Sequence, residues 1–331
     1  MRAFIIDGYD KPLHEAEVPE PSVGPDDVLI SIAAAGLNGI DERIRTGYFR
    51  LILPYRPPFT LGHDVAGTVI RVGAQVRSFV PGDVVFARPR DHRIGTFAER
   101  IAVDQADAAS VPSSISIVEA ASLPLVALTA WQALVEKGGV TAGHKVLIHG
   151  GAGGVGTIAI QLAKHLGAQV ATTASARNAD FVRSLGADVV IDYASQDFAE
   201  ELSGYDFVLD SLGGENLMKS LGVLRPGGIA VGIAGPPTPA FARENGLNPL
   251  LRLAMSALSR RVRGRAKRLG VGYEFLFMRA DGTRLREIAE LVDAGVIRPV
   301  VGATHAFDEA PNALAALERG GIRGKSVLLG A

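Results

Sequence analysis

The chain has 331 residues, an apolar fraction of 47% and 39 glycines, enough for two domains with separate cores and many tight turns. A formal net charge of -1 argues against a global basic field for nucleic acid, and the lack of cysteine excludes disulfides, thiolate metal sites and a cysteine nucleophile. No run of about 18 apolar residues marks a membrane span. The opening MRAFIIDGYD lacks the apolar stretch of a signal peptide, so a soluble, cytoplasmic protein is expected.

In chain order, RAFII, DDVLISIAAAGL, DVAGTVIRVG, DVVFARP and TFAERIAVD predict short strands, rich in Val and Ile and separated by Pro-Asp and Gly-Asp turns. This is the texture of a small barrel or sandwich. From Val118 the chain becomes helix-forming, with a break or restart at Pro124. A regular alternation follows: strand KVLIH, helix TIAIQLAKHLG, strand QVATTA, helix NADFVRSLG, strand DVVI, strand YDFVLD, helix ENLMKSLG and strand GGIAVGIAG. Ile158, Leu162 and Leu166 share one face of the first helix, and Gly167 stops it. The predicted class is therefore α/β: a doubly wound parallel domain joined to a β-rich one. Residues 236–270 interrupt the rhythm. Strand VGYEFLFM and helix TRLREIAELVDAG come next, and the last segment returns to the first domain. The expected division is 1–120 with 299–331 for the β-rich domain, and 121–298 for the parallel domain.

Gly151-Ala152-Gly153-Gly154-Val155-Gly156 lies between strand KVLIH and the first helix of that series. Glycines there let backbone N–H groups reach a pyrophosphate, and the helix start adds partial positive charge. An NAD-preferring site places Asp or Glu near the end of the next strand. Here that stretch reads Thr173-Ala174-Ser175-Ala176-Arg177-Asn178, without a carboxylate. A hydroxyl and a guanidinium suit a 2′-phosphate, so NADP(H) is the expected cofactor.

With Leu37-Asn38-Gly39-Ile40-Asp41, Gly62-His63-Asp64-Val65-Ala66-Gly67 and the glycine loop together, the chain resembles the medium-chain dehydrogenase/reductase superfamily. Segments such as EAASLPLVALTAW, ASARN, VIDYASQDF and VGIAGPPTP are similar to its zinc-free quinone oxidoreductases and plant-type enone and alkenal reductases. The resemblance implies a GroES-like barrel for the β-rich domain. It places Gly153, Gly154 and Val155 on the pyrophosphate, and Ser175, Ala176, Arg177, Asn178 and Tyr193 around the 2′-phosphate. Ile233 and Thr129 fall on the nicotinamide side. Arg43 stands where the plant-type enzymes have a cofactor-contacting lysine. Asn38 replaces the cysteine of the zinc alcohol dehydrogenases, and His63 with Asp64 makes too small a ligand set for catalytic zinc, so no metal is expected.

The implied reaction is hydride reduction of quinones or of the C=C bond of α,β-unsaturated carbonyls. A zinc-free alcohol or enoyl-thioester reductase and a non-catalytic NADPH-binding sensor are the alternatives. Negative charge on the substrate oxygen needs hydrogen-bond donors, for which the Asn38 amide is the side-chain candidate beside a backbone N–H or a ribose hydroxyl. Tyr48 is the candidate pocket residue or proton donor, water being the other source. Asp41 reads as a cap of the helix beginning there, with orientation of Arg43 or Asn38 as the other reading. In the insertion, Arg252, Arg260, Arg261, Arg263, Arg265, Lys267 and Arg268 follow an apolar run. A solvated lid or dimer-contact helix is preferred there to peripheral membrane contact. The expected partners are a small-molecule substrate and, at class level, a second copy in a homodimer.

Overall fold

A computed structural model describes residues 1–330. The chain forms two compact units, one of Met1–Leu128 with the segment from Arg279 onward, the other of Thr129–Met278. The first unit begins with β1 (Arg2–Ile6), β2 (His14–Glu17), β3 (Asp27–Gly36), α1 (Gly39–Arg45), β4 (Phe59–Thr60) and β5 (Asp64–Val72). It continues with β6 (Val84–Ala87), β7 (Arg100–Asp104), β8 (Ala108–Ser110) and α2 (Ile117–Ala121). Helix α3 (Pro124–Trp131) restarts at the predicted proline and carries the chain into the second unit.

The second unit holds β9 (Lys145–Ile148), α4 (Gly154–His165), β10 (Gln169–Ala174), α5 (Ala179–Ser184), β11 (Val189–Asp192), α6 (Phe198–Glu201) and β12 (Tyr205–Asp210). Then come α7 (Gly214–Val223), β13 (Leu224–Gly232), α8 (Pro239–Glu244), α9 (Pro249–Leu258), α10 (Arg260–Leu269) and β14 (Gly272–Phe275). The chain closes in the first unit with α11 (Gly282–Asp293), β15 (Val301–His305), α12 (Ala310–Arg319) and β16 (Lys325–Leu329).

In the second unit the sheet order is β11-β10-β9-β12-β13-β14, and every pairing is parallel. Strand order reverses between β9 and β12, so loops leaving their carboxyl ends open a crevice at that switch point. Both faces are covered by helices. Leu147, Ala171, Val208 and Ala230 from the strands pack with Leu217 and Leu221 of α7 and with Val262 and Ala266 of α10. The stop of α4 is as read from sequence: Gly167 takes a φ of +81°, and Ala168 N–H donates to Ala163 O at 3.0 Å.

The first unit carries a seven-stranded sheet of order β15-β16-β3-β5-β6-β8, with β7 paired to β3, and a separate small sheet β2-β1-β4. Its register sets up a buried corner. Gly36 at the end of β3 faces Asp64 at the start of β5 and also Val327 of β16. Gly36 has to be glycine, since a Cβ there would lie 2.5 Å from Ala121 O and 3.0 Å from Asp64 Cβ.

Two expectations need revision. The second unit ends at Met278, not at 298, because α11 packs against β8 of the first unit and Gly282 comes so close that a Cβ would sit 2.5 Å from Ala108 O. VGYEFLFM is strand only over Gly272–Phe275, the part that pairs with β13.

Candidate active site

The glycine loop joins β9 to α4. Gly150 adopts a φ of +67°, and its N–H donates to Thr173 Oγ1 at 3.1 Å while Gly151 N–H donates to Thr173 O at 3.0 Å. The loop is thus bolted to the end of β10. A Cβ on Gly151 would meet Thr172 Oγ1 at 2.2 Å, and one on Gly156 would meet Gly150 O at 2.3 Å, so strand, loop and helix pack at backbone distance. Gly153 caps α4 with no side-chain hydrogen bond, and a Cβ there would meet nothing closer than 3.4 Å. The first turn of α4 therefore offers its N–H groups, at the positive end of a 12-residue helix, to an anion.

Beneath the loop lies a buried polar network that sequence reading did not single out. His149 pairs through Nε2 with Ser220 Oγ (2.9 Å) and through Nδ1 with Thr173 Oγ1 (3.2 Å), and its ring sits edge-on to Phe198. Burial pushes the His149 pKa down to about 4, so the ring is neutral. Asp210, at the end of β12, accepts from Gly213 N–H at 2.7 Å, and burial raises its pKa. These groups fix the loops on either side of the switch point.

At the end of β10, Ser175, Ala176, Arg177 and Asn178 form a turn of 3₁₀ helix, Ala176 and Arg177 being exposed. Tyr193 follows β11, is exposed, and is held beside the same turn by its N–H to Ala174 O. Asp192, which pairs in register with Ala174, turns its carboxylate onto its own loop, accepting from Ala194 N–H and Ser195 Oγ. Ile233 follows β13, its N–H bound to Asp210 O at 2.9 Å. Gly153, Gly154, Val155, the 175–178 turn, Tyr193 and Ile233 are thus gathered at the carboxyl ends of β9, β10, β11 and β13. Thr129 is buried at the start of this unit.

The first unit holds the other three candidates. Arg43 is exposed, its guanidinium 5.7 Å from the centre of the Tyr48 ring, and Tyr48 is 70% exposed with its ring edge-on to Phe49. Asn38 is buried and engaged on every side. Its Nδ2 donates to Asp64 Oδ2 (2.9 Å) and Gly36 O (3.2 Å), and its Oδ1 accepts from the ammonium of Lys325. Lys325 Nζ also donates to Asp64 Oδ2 at 3.0 Å, and Asp64 Oδ1 accepts from Leu125 N–H at 2.8 Å. Both amide hydrogens of Asn38 are therefore spent within the protein, which departs from the expected substrate-oxygen donor.

Asp41, the third residue of α1, does help to cap it: fully buried, it completes a capping box by accepting from Asn38 N–H with one oxygen (2.7 Å), and its other oxygen lies 2.6 Å from His63 Nδ1. His63 is fully buried. Among the described residues, no group of three or more His, Asp or Glu gathers as a metal site.

Comparison with known proteins places this geometry. Residues 24–113 match the family described as alcohol dehydrogenase GroES-like domain, and residues 185–328 the family described as zinc-binding dehydrogenase. The chain belongs to the medium-chain dehydrogenase/reductase superfamily, in its quinone and enone reductase group, and is an α/β oxidoreductase with a Rossmann-like unit and a GroES-like unit. Among particular relatives, it is 38% identical to the mitochondrial NAD(P)H oxidoreductase RTN4IP1 of Mus musculus, over 99% of this chain and 89% of that one. It is 34% identical to 2-methylene-furan-3-one reductase of Solanum lycopersicum, over 95% and 74%. The solved quinone oxidoreductase of Coxiella burnetii superposes with a TM-score of 0.87 at 32% identity, covering 99% of each chain.

Proposed function

We propose that the protein reduces quinones or the C=C bond of α,β-unsaturated carbonyl compounds with NADPH and without zinc. The observation that carries this reading is the cradle at the β9–α4 junction: a helix start with no side-chain cap, set between Gly151 and Gly156, which admit no Cβ, beside a strand end with no carboxylate turned to it. Gly153, Gly154 and Val155 would hold the pyrophosphate. Ser175, Ala176, Arg177, Asn178 and Tyr193 would surround the 2′-phosphate, and Ile233 and Thr129 would flank the nicotinamide. Arg43, whose guanidinium lies over the Tyr48 ring, is the further candidate for cofactor contact.

When bound, the dihydronicotinamide supplies a hydride to the electrophilic β-carbon of the acceptor. The protein's task is then positioning and exclusion of water. Asn38 acts as a positioning residue: it ties Lys325 and Asp64 into one neutral, buried corner beneath α1. A backbone N–H or a ribose hydroxyl is left to bind the substrate oxygen, and water, or Tyr48 at the surface, protonates the α-carbon. His63 Nδ1 is held by Asp41 and its Nε2 has no partner, while Asp64 is held by Lys325, so the pair falls short of the three protein ligands that catalytic zinc needs.

The partner is a small-molecule acceptor, with a homodimer and a cytoplasmic setting as the accompanying proposals. No helix among the described residues is long and apolar enough to cross a membrane. The test is NADPH oxidation against a panel of enones, quinones, aldehydes and enoyl thioesters, with NADH and a chelator as controls. NADPH-selective turnover of enones or quinones, indifferent to chelator, is expected. Reduction of simple aldehydes alone, or loss of activity with chelator, overturns the reading.

A further inference from the structure

Helices α9 and α10 run almost continuously, since Ser259 N–H donates to Met255 O at 3.0 Å and Arg263 N–H to Ser259 O at 2.9 Å. Met255, Ser259, Val262 and Ala266 are buried and trace one stripe along both helices. The outward stripe carries what a helix normally hides. Leu250, Leu253 and Leu258 are 78%, 68% and 66% exposed, and Ala254 and Ala257 lie exposed between them. The same stripe continues into α10 as exposed Arg260, Arg261, Lys267 and Arg268. Between Glu244 and Glu274 there are six arginines, one lysine and no acid. Arg261 reaches Glu215 and Arg263 turns inward to Ser256 and Ser259. Arg252, Arg260, Lys267 and Arg268 meet no acid among the described residues.

We propose that this face seats the enzyme on an anionic phospholipid bilayer. The three leucines enter the boundary between headgroups and acyl chains, and the cations range along the anionic headgroups. A lid or dimer-contact role calls for the apolar side to be covered. A symmetric second copy would bring two sets of cations to one interface with no acid on the segment to answer them. A nucleic acid would leave the leucines without use, and residues 245–270 contain no aromatic side chain for base stacking. The bilayer satisfies both halves of the stripe. It would also bring the enzyme to acceptors that partition into lipid.

The test is co-sedimentation of the full chain with vesicles of phosphatidylcholine alone or with about 30% phosphatidylglycerol. The expected result is at least about tenfold tighter binding to the anionic vesicles, reversed by about 0.5 M salt. Leu250→Ser/Leu253→Ser/Leu258→Ser and Arg260→Glu/Lys267→Glu/Arg268→Glu should each weaken binding by about tenfold or more. Their circular dichroism, and their turnover of a water-soluble acceptor, should not change. Failure to bind anionic vesicles, equal binding to neutral ones, or wild-type binding by both variants overturns the proposal. A concentration-dependent dimer lost in the leucine variant, or retention of RNA, with no vesicle binding would assign the face to a second copy or to nucleic acid.

Discussion

The two units solve the problem of building a site in opposite ways. In the second unit the candidate cofactor cradle is made of absences: glycines without Cβ, a helix start without a cap and a strand end whose neighbouring carboxylate is turned away. In the first unit the corner at Asn38 is made of polar groups taken out of water and paired with one another, namely Lys325 with Asp64, and Asp41 hydrogen-bonded to His63. A cradle of backbone fails when atoms are added. A buried charge cluster fails when one member is removed.

The largest expected effect breaks the charged corner. Lys325→Met leaves Asp64 buried beside an amide with no cation, and should destabilise the protein by about 3–5 kcal/mol. Adding Asp64→Asn to that variant should recover a good part of the loss, which urea titration of the wild type, the two single variants and the double variant would measure.

The next concerns His149, which is neutral in the fold with a pKa pushed down to about 4. Once unfolded it titrates near 6.5, so between those values the unfolded chain binds a proton that the folded one refuses. Stability should therefore fall as pH drops from 6.5 toward 4, by about 3 kcal/mol from this group, and be unaffected by it above 6.5. Denaturation of wild type and His149→Gln across that window isolates the contribution, and parallel curves would contradict it.

A smaller loss should follow from filling the cradle. In Gly156→Ala the new Cβ falls 2.3 Å from Gly150 O. The expected cost is about 1–3 kcal/mol of stability, with weakened NADPH binding beyond it, read by thermal melts with and without the nucleotide. Smallest is the effect of Arg177→Glu, which places a carboxylate where a 2′-phosphate would lie. NADPH preference over NADH should fall by about tenfold, near 1.4 kcal/mol, with little change in stability. Steady-state kinetics with both nucleotides would show it.

The contrast also explains what could be read from the sequence. The β9–α4 cradle is local: its glycines, the strand before and the helix after fall within one short stretch, so spacing alone points to it. The alternating strands of the second unit are legible for the same reason. The corner at Asn38 is not local, because its ammonium comes from a residue 287 positions away, brought in by the pairing of β16 with β3. Without that partner, Asn38 reads as a free amide. Strands β2 and β4 escaped as well: His14–Glu17 carries one alanine among polar residues and Phe59–Thr60 spans two residues, so neither has a periodic pattern to detect. In α9 the leucine spacing was visible, but the face it turns to solvent was set by how Met255, Val262 and Ala266 are buried.

The central claim is that the cradle holds NADPH. Titration calorimetry of the wild-type chain with NADPH and NADH, repeated on Gly156→Ala, tests it most directly. The account predicts one nucleotide per chain, NADPH bound at least about tenfold tighter than NADH, and both weakened by the substitution. Equal affinities, or NADPH binding untouched in Gly156→Ala, would contradict it.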